Sequence, residues 1–134
     1  MGYIGAIIER KDKKILFQLR DNKPNIPHPN QWSIFGGGIN KREDPKDAAV
    51  RELKEELNLK LNKSNLNLLA RMNSFSKTNY IYWIKMKKES KDLKLKEGIS
   101  MKYMSLKKIL LKRNVVSSLR LFLIIYPILR FLKK

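Results

Sequence analysis

Three glutamates, Glu52, Glu55 and Glu56, fall within five residues of a chain whose formal net charge is +18. At about 3.6 residues per turn, the i, i+3, i+4 spacing puts all three on one face of a helix, within an arc of roughly 100°. Ala49, Val50, Leu53 and Leu57 occupy the adjoining arc and supply a face that packs. The predicted helix is thus buried on one side and acidic on the next. Its limits are also legible. Asp44 is placed as N-cap, Pro45 at the first helical position, Asp47 in the first turn, and Asn58 where a left-handed C-terminal residue is expected.

Empty, that acidic face is costly. Glu52 and Glu56 repel at i, i+4, and Glu55 and Glu56 lie towards the negative end of the helix dipole. A bound cation reverses the sign of that cost. Oxygen ligands with no Cys or His nearby favour a hard ion, Mg²⁺ or Mn²⁺, over zinc. The run Gly36-Gly37-Gly38 just upstream lets backbone come close to whatever the acids hold.

Read as Gly37, five residues, Glu43, seven residues, Arg51-Glu52-Leu53, one residue, Glu55-Glu56, one residue, Asn58-Leu59, the stretch resembles the Nudix box of the Nudix hydrolases. The box covers 37–59 and departs at one position, where Asn58 replaces the family's glycine; Asn is the usual second choice for left-handed backbone. A second segment, from Lys96-Glu97-Gly98 to Tyr103-Met104-Ser105-Leu106, is similar to the MutT branch of that family, in which a Glu-Gly pair precedes a strand ending in aromatic-Met-Ser-Leu. The family often has Pro just before its Gly-Gly, and Phe35 stands there instead.

The resemblance implies an α/β (α+β) Nudix fold, a mixed β-sheet sandwiched between helices. It also implies a hydrolase of diphosphate linkages, with Arg51, Glu52, Glu55, Glu56 and Glu97 as its catalytic set. One to three Mg²⁺ or Mn²⁺ ions would be held by Glu52, Glu55 and Glu56, helped by the Gly36 carbonyl and Glu97. Arg51 would pair with a neighbouring glutamate, Glu43 first, and so orient the ligands. Gly37, Gly38, Glu43 and Asn58 shape the motif. Glu55 and then Glu97 are the candidates for general base. The leading expectation is a MutT-like enzyme that splits a nucleoside triphosphate, such as 8-oxo-dGTP, into monophosphate and pyrophosphate. Its rivals are a hydrolase of another nucleoside diphosphate-linked compound (a nucleotide sugar, a dinucleoside polyphosphate, an RNA 5′ end) and a catalytically weak nucleotide or RNA binder.

Outside the motifs, each candidate has a structural alternative. Arg20, at the end of an apolar run, is either a substrate phosphate contact or a surface arginine at a strand end. Trp32 fits a core or rim aromatic as well as a base-stacking one. Phe75 and Tyr80 are candidates for a base pocket, against a sheet and core role. His28, the only histidine, sits among Pro24, Pro27 and Pro29 in a loop and reads as solvated, with a general-base role as the alternative.

Two apolar runs, 4–9 and 14–20, flank Lys11-Asp12-Lys13 as a hairpin signal. Residues 32–35 read as a strand delivering the glycines; 66–75 and 79–86 read as strands, with a strand remnant at Leu93 and Leu95. Ser105 caps a short helix over 106–112, and a further helical run begins at Val115. The apolar stretch 121–129 is short of the about 20 residues that a membrane span needs, and Arg120, Pro127 and Arg130 interrupt it. A C-terminal helix packed on the sheet is therefore expected, with a dimer contact or a membrane-surface helix as alternatives.

At 134 residues the chain is expected to be a single domain, 1–134, with a C-terminal helical segment at 105–134. Absence of Cys excludes a disulfide framework and a thiolate metal site. The start reads as a strand without the basic-then-apolar order of a signal peptide, so a cytoplasmic monomer or homodimer is the default, with a nucleotide-type small molecule as substrate. The 30 Lys+Arg against 12 Asp+Glu would draw nucleic acid or an anionic surface. They are mostly Lys and spread through the chain, whereas a dedicated phosphate reader clusters Arg, so a solvated surface is preferred.

Overall fold

The computed structural model describes residues 2–74, 76–86 and 93–133. Apolar residues that alternate along the strands separate into two faces, as a period of two requires. Along β1 (Gly2–Glu9), Ile4, Ala6 and Ile8 enter one core and Ile7 the other. Along β2 (Ile15–Leu19), Leu16 enters the first core and Ile15 and Phe17 the second. There follow β3 (Trp32–Ser33), β4 (Phe35–Gly38), α1 (Pro45–Leu57), a 3₁₀ turn at Lys63–Asn65, β5 (Asn67–Ser74), β6 (Lys77–Lys85), β7 (Ser100–Met104), α2 (Leu106–Leu111) and α3 (Ser117–Leu132).

The seven strands form one mixed sheet. β1 runs parallel to β6 and antiparallel to β2 and β4, while β2 also pairs with β3 and β7, and β5 with β6. α1 closes one face, where Ala48, Ala49, Leu53 and Leu57 meet Ile4, Ala6, Ile8, Tyr82 and Ile84. α2 and α3 close the other with Ile109, Leu119, Phe122 and Leu123 over Ile7, Phe17 and Ile81. Burial of each large apolar side chain contributes about 1.5–3 kcal/mol, so neither face is stable uncovered. This is the mixed sheet between helices that the motif implied.

Four local expectations change. Residues 32–35 are split between two strands, because β3 pairs with β2 and the chain then crosses at Ile34 to pair with β1. The glycines lie inside β4, with Gly36 opposite Gly5 and Gly37 opposite Ile4. The 4–9 and 14–20 runs are antiparallel neighbours joined by a tight turn, but their register is recorded only at Glu9 and Ile15, since β4 occupies the edge of β1 from Tyr3 to Ala6. Leu93 and Leu95 belong to no strand; instead the Lys94 and Lys96 N–H groups donate to the carbonyls of Leu57 and Glu56, at 2.9 Å each, at the C-terminal end of α1. Residues 87–92 and Phe75 lie outside the described residues.

α3 packs on the sheet as expected, and it continues through Pro127. Proline removes one intrahelical N–H and crowds the preceding turn. The compensation is tertiary. The Tyr126 hydroxyl donates to Glu9 Oε2 at 2.8 Å, and Arg130 donates to both Glu9 carboxylate oxygens at 3.2 Å while lying 3.5 Å over the Trp83 ring. Glu9 is buried at the end of β1, so a charged pair and a phenol tie the helix to the centre of the sheet.

Candidate active site

α1 is set in place by its own ends. The Asp44 side chain accepts from the Lys46 N–H at 3.1 Å, Pro45 opens the helix, and Asn58 adopts φ 56° at the C-cap. With Ala49, Leu53 and Leu57 buried, the register fixes where the polar residues go. Arg51 is the hub. Its Nε and Nη2 donate to Glu43 at 2.9 and 2.8 Å, Nη1 donates to Glu52 Oε1 at 2.8 Å, and Nη2 also reaches the Gly38 carbonyl at 3.0 Å. The Glu55 carboxylate stands 3.5 Å from Arg51 Nη1. The Arg51 guanidinium, followed by the Asn40 N–H, holds the Glu43 carboxyl at about 2, and Glu43 in turn keeps Arg51 protonated far above its ordinary range.

The three box glutamates meet very different surroundings. Glu56 is only 3 % exposed and accepts the Gly36 N–H on Oε1 at 3.2 Å. Burial first, then the neighbouring Glu52 and Glu97 charges, pushes its carboxyl up to about 8, against the Gly36 hydrogen bond and Arg20. Glu52 is half-buried and is also raised, by burial above all, with Arg51 opposing. A Cβ on Gly37 would lie 2.5 Å from the Glu52 carboxyl carbon, so only glycine leaves room for that side chain against β4. Glu55 is exposed and turned to Arg51.

Glu97 reaches the site from the far end of the sheet. Gly98, at φ 94°, lets the chain pass where a Cβ would come within 2.8 Å of the Leu19 carbonyl oxygen, and the Ile99 N–H donates to that same carbonyl at 2.8 Å. With Lys96 bonded to Glu56, Glu97 is carried to the mouth of a cleft of about 650 Å³. Glu52, Glu56, Gly36, Gly37, Arg20 and His28 line the same cleft. Arg20 is pinned there by a bond from its Nε to the Pro27 carbonyl at 2.9 Å.

Of the proposed substrate contacts, Arg20 lies in the cleft, whereas Trp32 and Tyr80 do not line it. Trp32 is buried in the core beneath α3, with Lys112 5.5 Å from its ring, and Tyr80 lies on the α1 side of β6 beside Arg71. The reason is parity: β6 residues of odd number face the α3 layer, and the cleft takes Lys77, Asn79 and Ile81 from them. Phe122 and Ser118 of α3 form the opposite wall. None of these was marked by the sequence, because alternation identifies two faces without saying which one borders the acids.

In chemistry, though not in arrangement, the donors suit a hard divalent cation. They are oxygen-only, the Glu52 and Glu56 carboxylates stand against the glycines of β4, and burial leaves Glu56 short of a counter-charge. Among the described residues, no group of three His, Cys, Asp or Glu side chains is arranged to hold an ion; Arg51 engages Glu52 and Glu55.

This architecture recurs in known proteins. A NUDIX domain family match covers residues 2–123. The MutT protein of Methanosarcina mazei Go1 superposes with a TM-score of 0.77 at 22% identity, covering 100% of this chain and 96% of its own. The E. coli dihydroneopterin triphosphate pyrophosphohydrolase gives 0.67 at 18% identity, with 91% of each chain covered. A C. elegans Ap4A hydrolase gives 0.66 at 20% identity, with 98% of each covered. The chain belongs to the Nudix family and is a Nudix hydrolase, an enzyme of phosphoric anhydride linkages. No helix among the described residues is long and apolar enough to cross a membrane.

Proposed function

We propose that this enzyme hydrolyses a nucleoside triphosphate to the monophosphate and pyrophosphate with Mg²⁺ or Mn²⁺, and that an oxidised nucleotide such as 8-oxo-dGTP is the first substrate to try. The observation that carries the reading is a single cleft containing two chemistries. Glu52, Glu56, Glu97 and Arg20 suit a polyphosphate and its cation, while Ile81, Phe122, Asn79 and Ser118 offer an apolar wall with two polar groups, suited to a base. Of the three relatives above, two name a compound and the compounds differ, so the substrate is read from this cleft and not from them.

In this reading Glu52, Glu55, Glu56, the Gly36 carbonyl and Glu97 would hold the cation, which would supply neutralisation of phosphate charge and a more acidic water. Arg20 binds a phosphate oxygen, Arg51 orients the glutamates, and Glu97, being in the cleft and exposed, is placed ahead of Glu55 to take the proton from the attacking water. Residues 1–134 act as one domain, and triphosphate pools place the enzyme in the cytoplasm. The experiment is a panel of canonical and oxidised nucleoside triphosphates, nucleotide sugars and dinucleoside polyphosphates, with Mg²⁺ or Mn²⁺, read by pyrophosphate and nucleotide release. Monophosphate and pyrophosphate from a triphosphate support the proposal; turnover confined to nucleotide sugars or dinucleoside polyphosphates overturns it.

A further inference from the structure

α3 is apolar on two faces, and one of them packs on the sheet. Leu119, Phe122, Leu123 and Tyr126 point into the core. On the other side Leu121, Ile124, Ile125, Ile128, Phe131 and Leu132 are each between 47 % and 70 % exposed. At about 100° per residue these six fall within an arc of roughly 120°, a stripe running the length of the helix. Arg120 grips the carbonyls of Leu110 and Lys112 at the end of α2, which brings the exposed Leu111 beside the first turn of α3. The whole is on the order of several hundred Å², the size at which an exposed apolar patch marks an interaction surface.

The charge around the stripe selects the partner. Residues 98–134 contain nine Lys and Arg and no Asp or Glu; of the nine, Arg130 is taken up by Glu9 and Arg120 by the α2 carbonyls. Lys107, Lys108, Arg113 and Lys133 are exposed there. We propose that α3 docks this enzyme on an anionic lipid bilayer, lying in the plane of the interface with its outer stripe among the acyl chains and the surrounding lysines and arginines at the headgroups. Sixteen residues with Pro127 inside them make an in-plane helix and not a span. Pairing with a second copy would bring two such cationic rims together on molecules of net charge +18, and like charges so close oppose it. A nucleic acid would satisfy the cations but leave the stripe in water. Leu119 and Phe122, which line the cleft, are on the packed side of α3, so docking leaves these two in place, with the exposed Ser118 at the border between stripe and cleft.

The test is flotation with phosphatidylcholine vesicles, with and without phosphatidylglycerol, at physiological ionic strength. The full chain is expected to float with the anionic vesicles only. The Ile124→Glu, Ile128→Glu double variant should lower its partition at least about tenfold, with unchanged helicity, melting temperature and turnover of soluble substrate. The neutral pair Ile124→Gln, Ile128→Gln should also weaken binding, which separates lost insertion from added repulsion. Vesicle binding that neither pair weakens is adsorption by charge alone and overturns the proposal. So does failure to float, a lipid-free dimer in sedimentation velocity that the same pairs dissociate, or polynucleotide binding that they weaken equally.

Discussion

The two long helices cover opposite faces of one sheet and are built on different terms. α1 carries its own instructions: Asp44 and Pro45 start it, Asn58 stops it, and the residues between divide into a core face and a chemical face. α3 has no side-chain cap at Val116 and a proline in its last turns. It is held by contacts to residues more than a hundred positions away, Glu9 with Tyr126 and Arg130. Local rules are therefore sufficient for the helix that bears the site, and tertiary contacts fix the helix that walls the cleft. The comparison also explains the surface. α1 turns its second face to Arg51 and the glutamates, whereas α3 turns its second face outward.

Breaking the chemical face should have the largest effect. Glu56→Gln is expected to lower metal-dependent kcat by about 10³-fold, as losing several kcal/mol of charge stabilisation implies, with the fold intact. Pyrophosphate release alongside a thermal melt checks it, and wild-type turnover in this variant would remove Glu56 from the site. Breaking the tertiary anchor comes next. Glu9→Gln leaves Arg130 unpaired beside Trp83 and should cost on the order of 3 kcal/mol in urea denaturation, while any loss of activity follows the folded fraction. An unchanged midpoint would mean that α3 needs no anchor.

Arg51→Lys sharpens the account of the hub. Lysine cannot grip Glu43 and Glu52 together, so kcat should fall about 10- to 100-fold with a smaller loss of stability; an unaltered rate would make the network ornamental to catalysis. The smallest effect is a pH trend in metal-free protein. Glu56 is raised from 4.5 to about 8 on folding, so the folded state binds the extra proton. That contribution is full below about pH 4.5 and is lost as pH rises through about 8. The metal-free melting temperature should therefore decline across this window, and Glu56→Gln should flatten the decline; equal slopes in both proteins would contradict the burial of this carboxyl.

Much of this division was legible in the residues. The caps and face of α1 and the strand alternation follow from spacing, which local geometry enforces, and the Glu43–Arg51 pair from the resemblance. The resemblance added Glu97, which no spacing ties to the box because two strands, β5 and β6, separate them. What spacing does not encode is partner choice. It could not tell that β4 takes the edge of β1, that Trp32 is core while Asn79 borders the cleft, or that Arg51 would engage Glu52 and Glu55 as well as Glu43. Nor does it show what holds α3 around Pro127, since the partner, Glu9, is at the other end of the chain.

The central claim is that the acids beside Gly36 and Gly37 exist to hold a divalent ion. Titration of Mn²⁺ into wild type and Glu56→Gln at pH 6 and pH 8, followed by calorimetry, tests it most directly, because the ion must displace the proton that burial keeps on Glu56. Binding in the wild type that tightens from pH 6 to 8 and is lost in the variant is the expected result. Equal Mn²⁺ affinity in both proteins, or none in either, would contradict the claim.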